Sequence, residues 1–355
     1  MLNVTKTFFP PLDEYNVFLQ RIWDNEWLTN RGELVQELEK KLKDKLRVEN
    51  VLLMTNGTLP IQIALKLLGG KGEVITTPFS YVATTSAIVW ESCTPVFVDI
   101  HPEYLTIDES KIEAAITDKT IAILATHVFG NPCHIEEIQR IADKHNLKVI
   151  YDAAHCFGVE YKGKSVFEYG DISTCSFHAT KIFHTGEGGA LFCNDEQLMH
   201  KCFYSHNFGH NGPAYFHGLG INAKISELQA AMGLAVLPYF STILENRKKI
   251  SEYYSSHLSN TVTKIKLRDG TKWNYSYYPV VFETEELLSK CMVALKKKDI
   301  NARRYFYPSL NTLDYVAYQS MKVSESISKR VLCLPLSQET SFKDIEPIIK
   351  VINNI

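Results

Sequence analysis

The sequence predicts an α/β fold: a mostly parallel central sheet with helices over both faces, followed by a smaller C-terminal α/β unit. Between residue 50 and about 195, short β-prone runs recur at Val51–Met54, Val74–Thr77, Val96–Asp99, Ile121–Thr126, Val149–Asp152, Ile172–Ser176 and Ala190–Cys193. Segments of helical length separate these runs, and strands joined by helical crossovers pair in parallel. The chain also has 355 residues, more than the roughly 250–300 that one hydrophobic core supports. A large unit over residues 1–238 and a small one over 239–355 are therefore expected.

Ahead of the first strand, Asn30-Arg31-Gly32-Glu33 resembles a capping box. Leu34, Leu38, Leu42 and Leu46 then recur every fourth residue, the period of a helix with one apolar face. Val51–Met54 leads into the turn Thr55-Asn56-Gly57-Thr58 and a helix from Leu59, with Pro60 in its first turn, where a missing N–H costs little. Ile225 to Leu234 reads as a helix running to Pro238, and Glu245 to Tyr254 as a long helix leading into the second unit. Parallel sheets gather ligands at the carboxyl ends of their strands. Asn56, Asp152 and Ser176 fall at such ends.

Composition is that of an ordinary globular protein, 45% hydrophobic and 22% charged with a formal net charge of −2. No concentrated Lys/Arg stripe marks a nucleic-acid or anionic-membrane footprint, and Lys296-Lys297-Lys298 reads as a solvated helix face. The N-terminal residues lack an apolar run of signal length, and no stretch approaches the roughly 18 consecutive apolar residues of a membrane helix. A soluble, cytoplasmic protein is expected, binding neither nucleic acid nor membrane. The eight cysteines form no C-x-x-C pair, which points to reduced thiols rather than a disulfide framework or a metal site.

The chemistry concentrates around Lys181, in Ser176-Phe177-His178-Ala179-Thr180-Lys181-Ile182-Phe183-His184-Thr185-Gly186-Glu187-Gly188-Gly189. An amine in an apolar surround loses its charge more readily and becomes a nucleophile. Asp152 closes a strand 29 residues upstream. An amine, a carboxylate, a hydroxyl at Ser176 and a glycine-rich loop are together what pyridoxal 5'-phosphate requires. In that reading Asp152 keeps the pyridine nitrogen protonated. His155 reaches the ring's phenolic oxygen or supports Asp152. The amides of Gly57 and Thr58, at a helix N-terminus, hold the phosphate with Ser176. Tyr81 stacks on the ring, while Phe79 turns into the core. Gly186-Glu187-Gly188-Gly189 precedes a strand rather than opening a helix, so it is no dinucleotide fingerprint.

These segments together resemble the DegT-type sugar aminotransferases, fold-type I PLP enzymes. The likeness runs through Trp27-Leu28-Thr29-Asn30, Asn56-Gly57-Thr58, Thr77-Pro78-Phe79-Ser80-Tyr81-Val82-Ala83-Thr84, Tyr151-Asp152-Ala153-Ala154-His155, the Lys181 run, Gly220 to Ala231 and Tyr307-Pro308-Ser309-Leu310. It implies that Lys181 binds the cofactor covalently and shuttles a proton, and that Asn222 reaches the phosphate of a neighbouring subunit, making a homodimer with shared sites. L-glutamate, released as 2-oxoglutarate, would be the donor and a nucleotide-linked keto sugar the acceptor. The Lys181 run is most similar to enzymes aminating C4 of dTDP-4-keto-6-deoxy-D-glucose for surface polysaccharide such as O-antigen. C3 amination of a 3-keto isomer, or a non-catalytic PLP-binding regulator, are the alternatives. Candidate contacts for diphosphate or hexose are Thr29, Arg31, His184 and Tyr305, with Arg303, Arg304 and Tyr307. Lys224 stands where the family commonly has arginine, which removes a two-pronged donor. Cys133-His134 replaces a small residue followed by aspartate, which affects a helix cap.

Overall fold

A computed structural model describes residues 1–355. Its central sheet has seven strands, in spatial order Leu52–Met54, Gly189–Phe192, Ile172–Ser176, Lys148–Asp152, Thr120–Thr126, Glu73–Thr76 and Thr94–Phe97. From Ile172–Ser176 to the Thr94–Phe97 edge every pair is parallel; Gly189–Phe192 alone runs against both its neighbours. Each β-prone run of the sequence is thus a strand, with ends moved by up to two residues. The Thr94–Phe97 edge starts early because its ladder begins at Glu73 opposite Thr94 and ends at Thr76 opposite Phe97. The ends Met54, Thr76, Thr126, Asp152 and Ser176 lie along one edge, joined there by Gly189, which pairs with both Met54 and Ser176.

Helix Glu33–Leu46 buries Leu34, Leu38, Leu42 and Leu46. Its start differs from the expected capping box. Asn30 and Arg31 are left-handed, Gly32 occupies the N-cap position without a side-chain cap, and the buried Glu227 carboxylate accepts from the amides of Leu34 (2.7 Å) and Val35 (3.3 Å). The cap therefore arrives from a distant helix, Glu227–Val236, itself capped by a reciprocal Ser226–Gln229 box. A tight turn over Leu237–Tyr239 carries this helix directly into Phe240–His257, so Pro238 interrupts but does not end the helical path. Glu227–His257 is also the one stretch long and apolar enough to span a membrane by length and composition, and 56% of its apolar window is buried inside the protein.

Beyond it, an antiparallel sheet of Val262–Lys264, Tyr278–Phe282 and Val331–Leu334 packs with helices Glu285–Lys296 and Phe342–Asn353 around a separate core containing Tyr254, Leu288, Leu295, Ile345 and Ile348. The chain's first residues join this part: Leu2–Asn3 pairs in parallel with Ile300–Asn301, and Val4 accepts from the Leu336 amide.

Leu38 is fully buried, and its methyls leave no room for a side chain at Gly233. Leu38→Ala opens a void where these helices meet and should cost about 2–5 kcal/mol, read as a lower urea denaturation midpoint.

Candidate active site

A cavity of about 270 Å³ opens at the carboxyl edge of the central sheet. One wall is Asn56, Gly57, Thr58, Tyr81, Asp152, His155, Ser176 and Lys181 from the large sheet's loops; Tyr277, Arg303, Tyr305 and Phe306 from the second unit form the other. Lys181 follows a turn in which its amide donates to the His178 carbonyl at 2.8 Å. Its amine lies 5.8 Å from the centre of the Tyr277 ring. Burial pushes the lysine below its ordinary pKa, although Asp152 pulls the other way.

Asp152 is 5% exposed and ends the Lys148–Asp152 strand. Burial raises its carboxyl pKa; hydrogen bonds from the Thr84 hydroxyl (2.6 Å) and the Ala154 amide (3.1 Å) and the charge of Lys181 oppose the rise. His155 is buried beside it but not bonded to it. Its Nδ1 accepts from the Phe129 amide at 3.1 Å, and burial, then the Lys181 charge, drives its pKa well down. A neutral imidazole that accepts at Nδ1 carries its proton on Nε2. His155 thus offers one ring donor on the cavity wall.

At the other end, Gly57 and Ser176 touch so closely that a Cβ on Gly57 would stand 2.8 Å from that of Ser176. Thr58 occupies the N-cap position of helix Leu59–Leu67 without capping it by its side chain. Asn56 caps instead: its Oδ1 accepts from the Thr58 and Leu59 amides, each at 2.9 Å. The expected free Thr58 amide is therefore engaged, and an incoming anion would have to displace Asn56. Tyr81 sits on the cavity wall 55% exposed, while Phe79 is fully buried and packs edge-on against Phe129 and Phe306. Tyr305 lines the cavity, its phenol pushed up to about 12 chiefly by burial. Arg303 lies 4.6 Å over the Tyr305 ring, without a carboxylate partner, whereas Arg304 pairs with Glu285 at 2.9 Å.

The structure places other candidates away from this chain's cavity. Arg31, expected at the diphosphate or hexose, instead donates from Nε (3.1 Å) and Nη2 (2.7 Å) to the buried Glu39 carboxylate. Thr29 is exposed outside the lining. His184, also expected near substrate, is buried: Nε2 bonds the Phe8 carbonyl at 2.7 Å and Nδ1 accepts from the Gly186 amide, so it holds the N-terminal segment against the loop after Lys181. Asn222 is exposed, and its Oδ1 accepts from Lys224 at 2.7 Å. His134 does cap helix Ile135–His145, accepting weakly from the Glu137 amide at 3.4 Å. Residue-level reasoning missed Thr84, Tyr277 and the capping role of Asn56. Thr84 lies within the quoted Pro78 to Thr84 run, but nothing local tied it to Asp152.

The profile of the DegT/DnrJ/EryC1/StrS aminotransferase family matches residues 13–353. The chain belongs to that family. This aminotransferase is 44% identical over 99% of its length, and 98% of the other protein, to a dTDP-4-amino-4,6-dideoxy-D-glucose transaminase of Shigella dysenteriae. A protein of the same name from Escherichia coli is 38% identical over 99% of this chain and 98% of that protein. The crystal structure of DesI in the presence of its TDP-sugar product superposes with a TM-score of 0.94 at 30% identity, covering 99% of this chain and 92% of that one. The central sheet and second unit of the aminotransferase are thus the family's fold.

Burial also fixes how the aminotransferase responds to acid. It lowers His127 to about 3 and His206 to about 4, and holds His155 well down. In the unfolded chain these residues titrate near 6.5. Below that pH the unfolded state binds protons the folded state refuses, so stability is full above about 6.5 and falls by up to about 1.4 kcal/mol per pH unit per histidine as pH drops. The urea midpoint should decline between pH 6.5 and 5, and less steeply in His127→Asn; a flat profile contradicts this assignment.

Proposed function

We propose that this chain transfers the amino group of L-glutamate, by way of pyridoxal 5'-phosphate, to C4 of dTDP-4-keto-6-deoxy-D-glucose, giving dTDP-4-amino-4,6-dideoxy-D-glucose and 2-oxoglutarate. The observation that carries this reading is the 44% identity along 99% of the chain to a transaminase named for that sugar. The cavity's chemistry supports the cofactor. Its wall has an amine of lowered pKa, a buried carboxylate, a neutral imidazole with a free N–H, and a glycine whose missing side chain lets the turn at a helix N-terminus settle against Ser176. When bound, the cofactor supplies the electron sink that lets a C–H bond beside nitrogen ionise.

Each residue then has a task. Lys181 would hold the cofactor and, when free, move a proton at the substrate carbon; its lowered pKa leaves more of the amine neutral for both. Asp152 would pair with the ring nitrogen, and the Nε2 proton of His155 would be available to the ring's oxygen. Gly57 and Ser176, with Thr58 once Asn56 gives way, would receive the phosphate, and Tyr81 would cover one face of the ring. Arg303, a guanidinium with no carboxylate partner, suits the carboxylate of glutamate or the diphosphate of the sugar.

The active unit in this reading is a homodimer in which Asn222 reaches the partner's phosphate site. Asn222 is exposed, braced by Lys224, and flanked by exposed Phe208, Tyr215, Phe216, Leu219 and Ile221, an apolar face of the kind that marks an interface. Residues 1–238, apart from the opening strand Leu2–Asn3 that pairs with the small domain, form the cofactor-binding domain, and 239–355 the small domain that closes the cavity. The setting is cytoplasmic synthesis of a surface glycan such as O-antigen.

The test is a panel of dTDP-, UDP- and GDP-linked 3-keto and 4-keto sugars with L-glutamate, with products identified by NMR. Turnover of the dTDP 4-keto sugar to the 4-amino product is expected; preference for a 3-keto sugar or another base contradicts the assignment. Gly57→Ala forces the turn away from Ser176 and should weaken cofactor binding about tenfold or more by equilibrium dialysis, the loss expected for a hydrogen bond to a charged group.

A further inference from the structure

Four side chains in the motif and strand ends around the cavity form a single file. Thr126 and Asp152 are register partners on adjacent parallel strands. Ser80 and Thr84 come from the approach to helix Val82–Trp90 and from its first turn, and all four residues are buried. The Thr126 hydroxyl donates to Ser80 at 3.1 Å, Ser80 and Thr84 are 2.7 Å apart, and Thr84 donates to Asp152 Oδ2 at 2.6 Å. A hydroxyl has one hydrogen to give. Because the hydrogen of Thr84 goes to Asp152, Ser80 must donate to Thr84, and Ser80 in turn accepts from Thr126. The file has one direction, every hydrogen pointing toward the carboxylate.

We propose that Thr84, backed by Ser80 and Thr126, is the positioning residue that keeps Asp152 ionised and fixed toward the ring nitrogen of the cofactor. This rests on the reading of Asp152 as that nitrogen's partner. A donor to the charged form of a carboxylate favours that form, and aligned hydroxyls polarise one another. The Ala154 amide fixes the second oxygen at 3.1 Å, so both oxygens are held and each keeps a lone pair for a further proton. Without the file, only the Ala154 amide and the Lys181 charge would oppose the rise that burial imposes on Asp152, shifting it toward the neutral acid.

The test uses holoenzyme loaded with cofactor labelled with ¹⁵N in the ring, at neutral pH, with cofactor affinity measured by dialysis and folding by circular dichroism. Thr84→Val keeps the shape and removes the hydroxyl. The ring-nitrogen resonance should move toward the unprotonated position and affinity should fall about tenfold, as for loss of a hydrogen bond to a charge. Thr84→Ser should restore both, and Ser80→Ala should move both in the same direction by less; Ser80→Ala also serves as the readout if Thr84→Val does not fold. Unchanged resonance and affinity in folded Thr84→Val, or in folded Ser80→Ala where Thr84→Val does not fold, overturn the hydroxyl file alone. A wild-type protein that takes up no cofactor, or whose ring nitrogen is already unprotonated, overturns the underlying reading of Asp152 and the file with it.

Discussion

Holding a partly buried amine beside a buried carboxylate at the edge of one sheet is the constraint on which the rest of the site depends. Burial drives Lys181 and Asp152 each toward neutrality, and the charge of each opposes that drift in the other. Such a pair is costly unless every remaining lone pair and proton is managed. The surrounding groups do this: Thr84 and the Ala154 amide hold the carboxylate, and the Tyr277 ring stands near the amine. Tyr277, Tyr305 and Phe306 come from the second unit. The small unit thus helps to set the dielectric in which Lys181 works.

The edge itself is shaped by one reversed strand. Gly189–Phe192 runs against its neighbours and brings Gly189 between Met54 and Ser176, where a Cβ would meet the Asn56 carbonyl at 2.3 Å. With Gly57 also packed against Ser176, two glycines let the turn before helix Leu59–Leu67 settle onto the sheet. The helix N-terminus is therefore presented to the cavity, with Asn56 covering its amides. His184 holds the loop after Lys181 from behind through the Phe8 carbonyl. The N-terminal segment that supplies this carbonyl also pairs with the second unit at Ile300–Asn301, so it fastens both walls of the cavity.

What the sequence disclosed is what local pattern encodes. Seven apolar runs became seven strands, all but the Thr94–Phe97 edge largely buried, because short apolar segments between helical crossovers fit a sheet covered on both faces. The amine, the strand-end carboxylate and the glycine turn were legible because their chemistry is carried by single residues at strand ends. What could not be read was set by partners far along the chain. Arg31 resembled an anion contact until Glu39 and the fold around it were in place, and His184 resembled a substrate group although its partner lies 176 residues away. The Asn30–Glu33 box failed because Glu227, 193 residues from Leu34, reached the helix amides first. Thr84 lay in a recognised motif, yet its bond joins the start of a helix to a strand end 68 residues further along, a contact only the fold creates.

The central claim is that the partly buried amine of Lys181 is the group that carries the cofactor. Borohydride reduction of the holoprotein, followed by proteolysis and mass spectrometry, tests it most directly. The account predicts a single cofactor adduct, on the peptide containing Lys181, and none in Lys181→Ala treated alike. An adduct on another lysine of the wild-type protein, or a cofactor that leaves without any adduct, would contradict it.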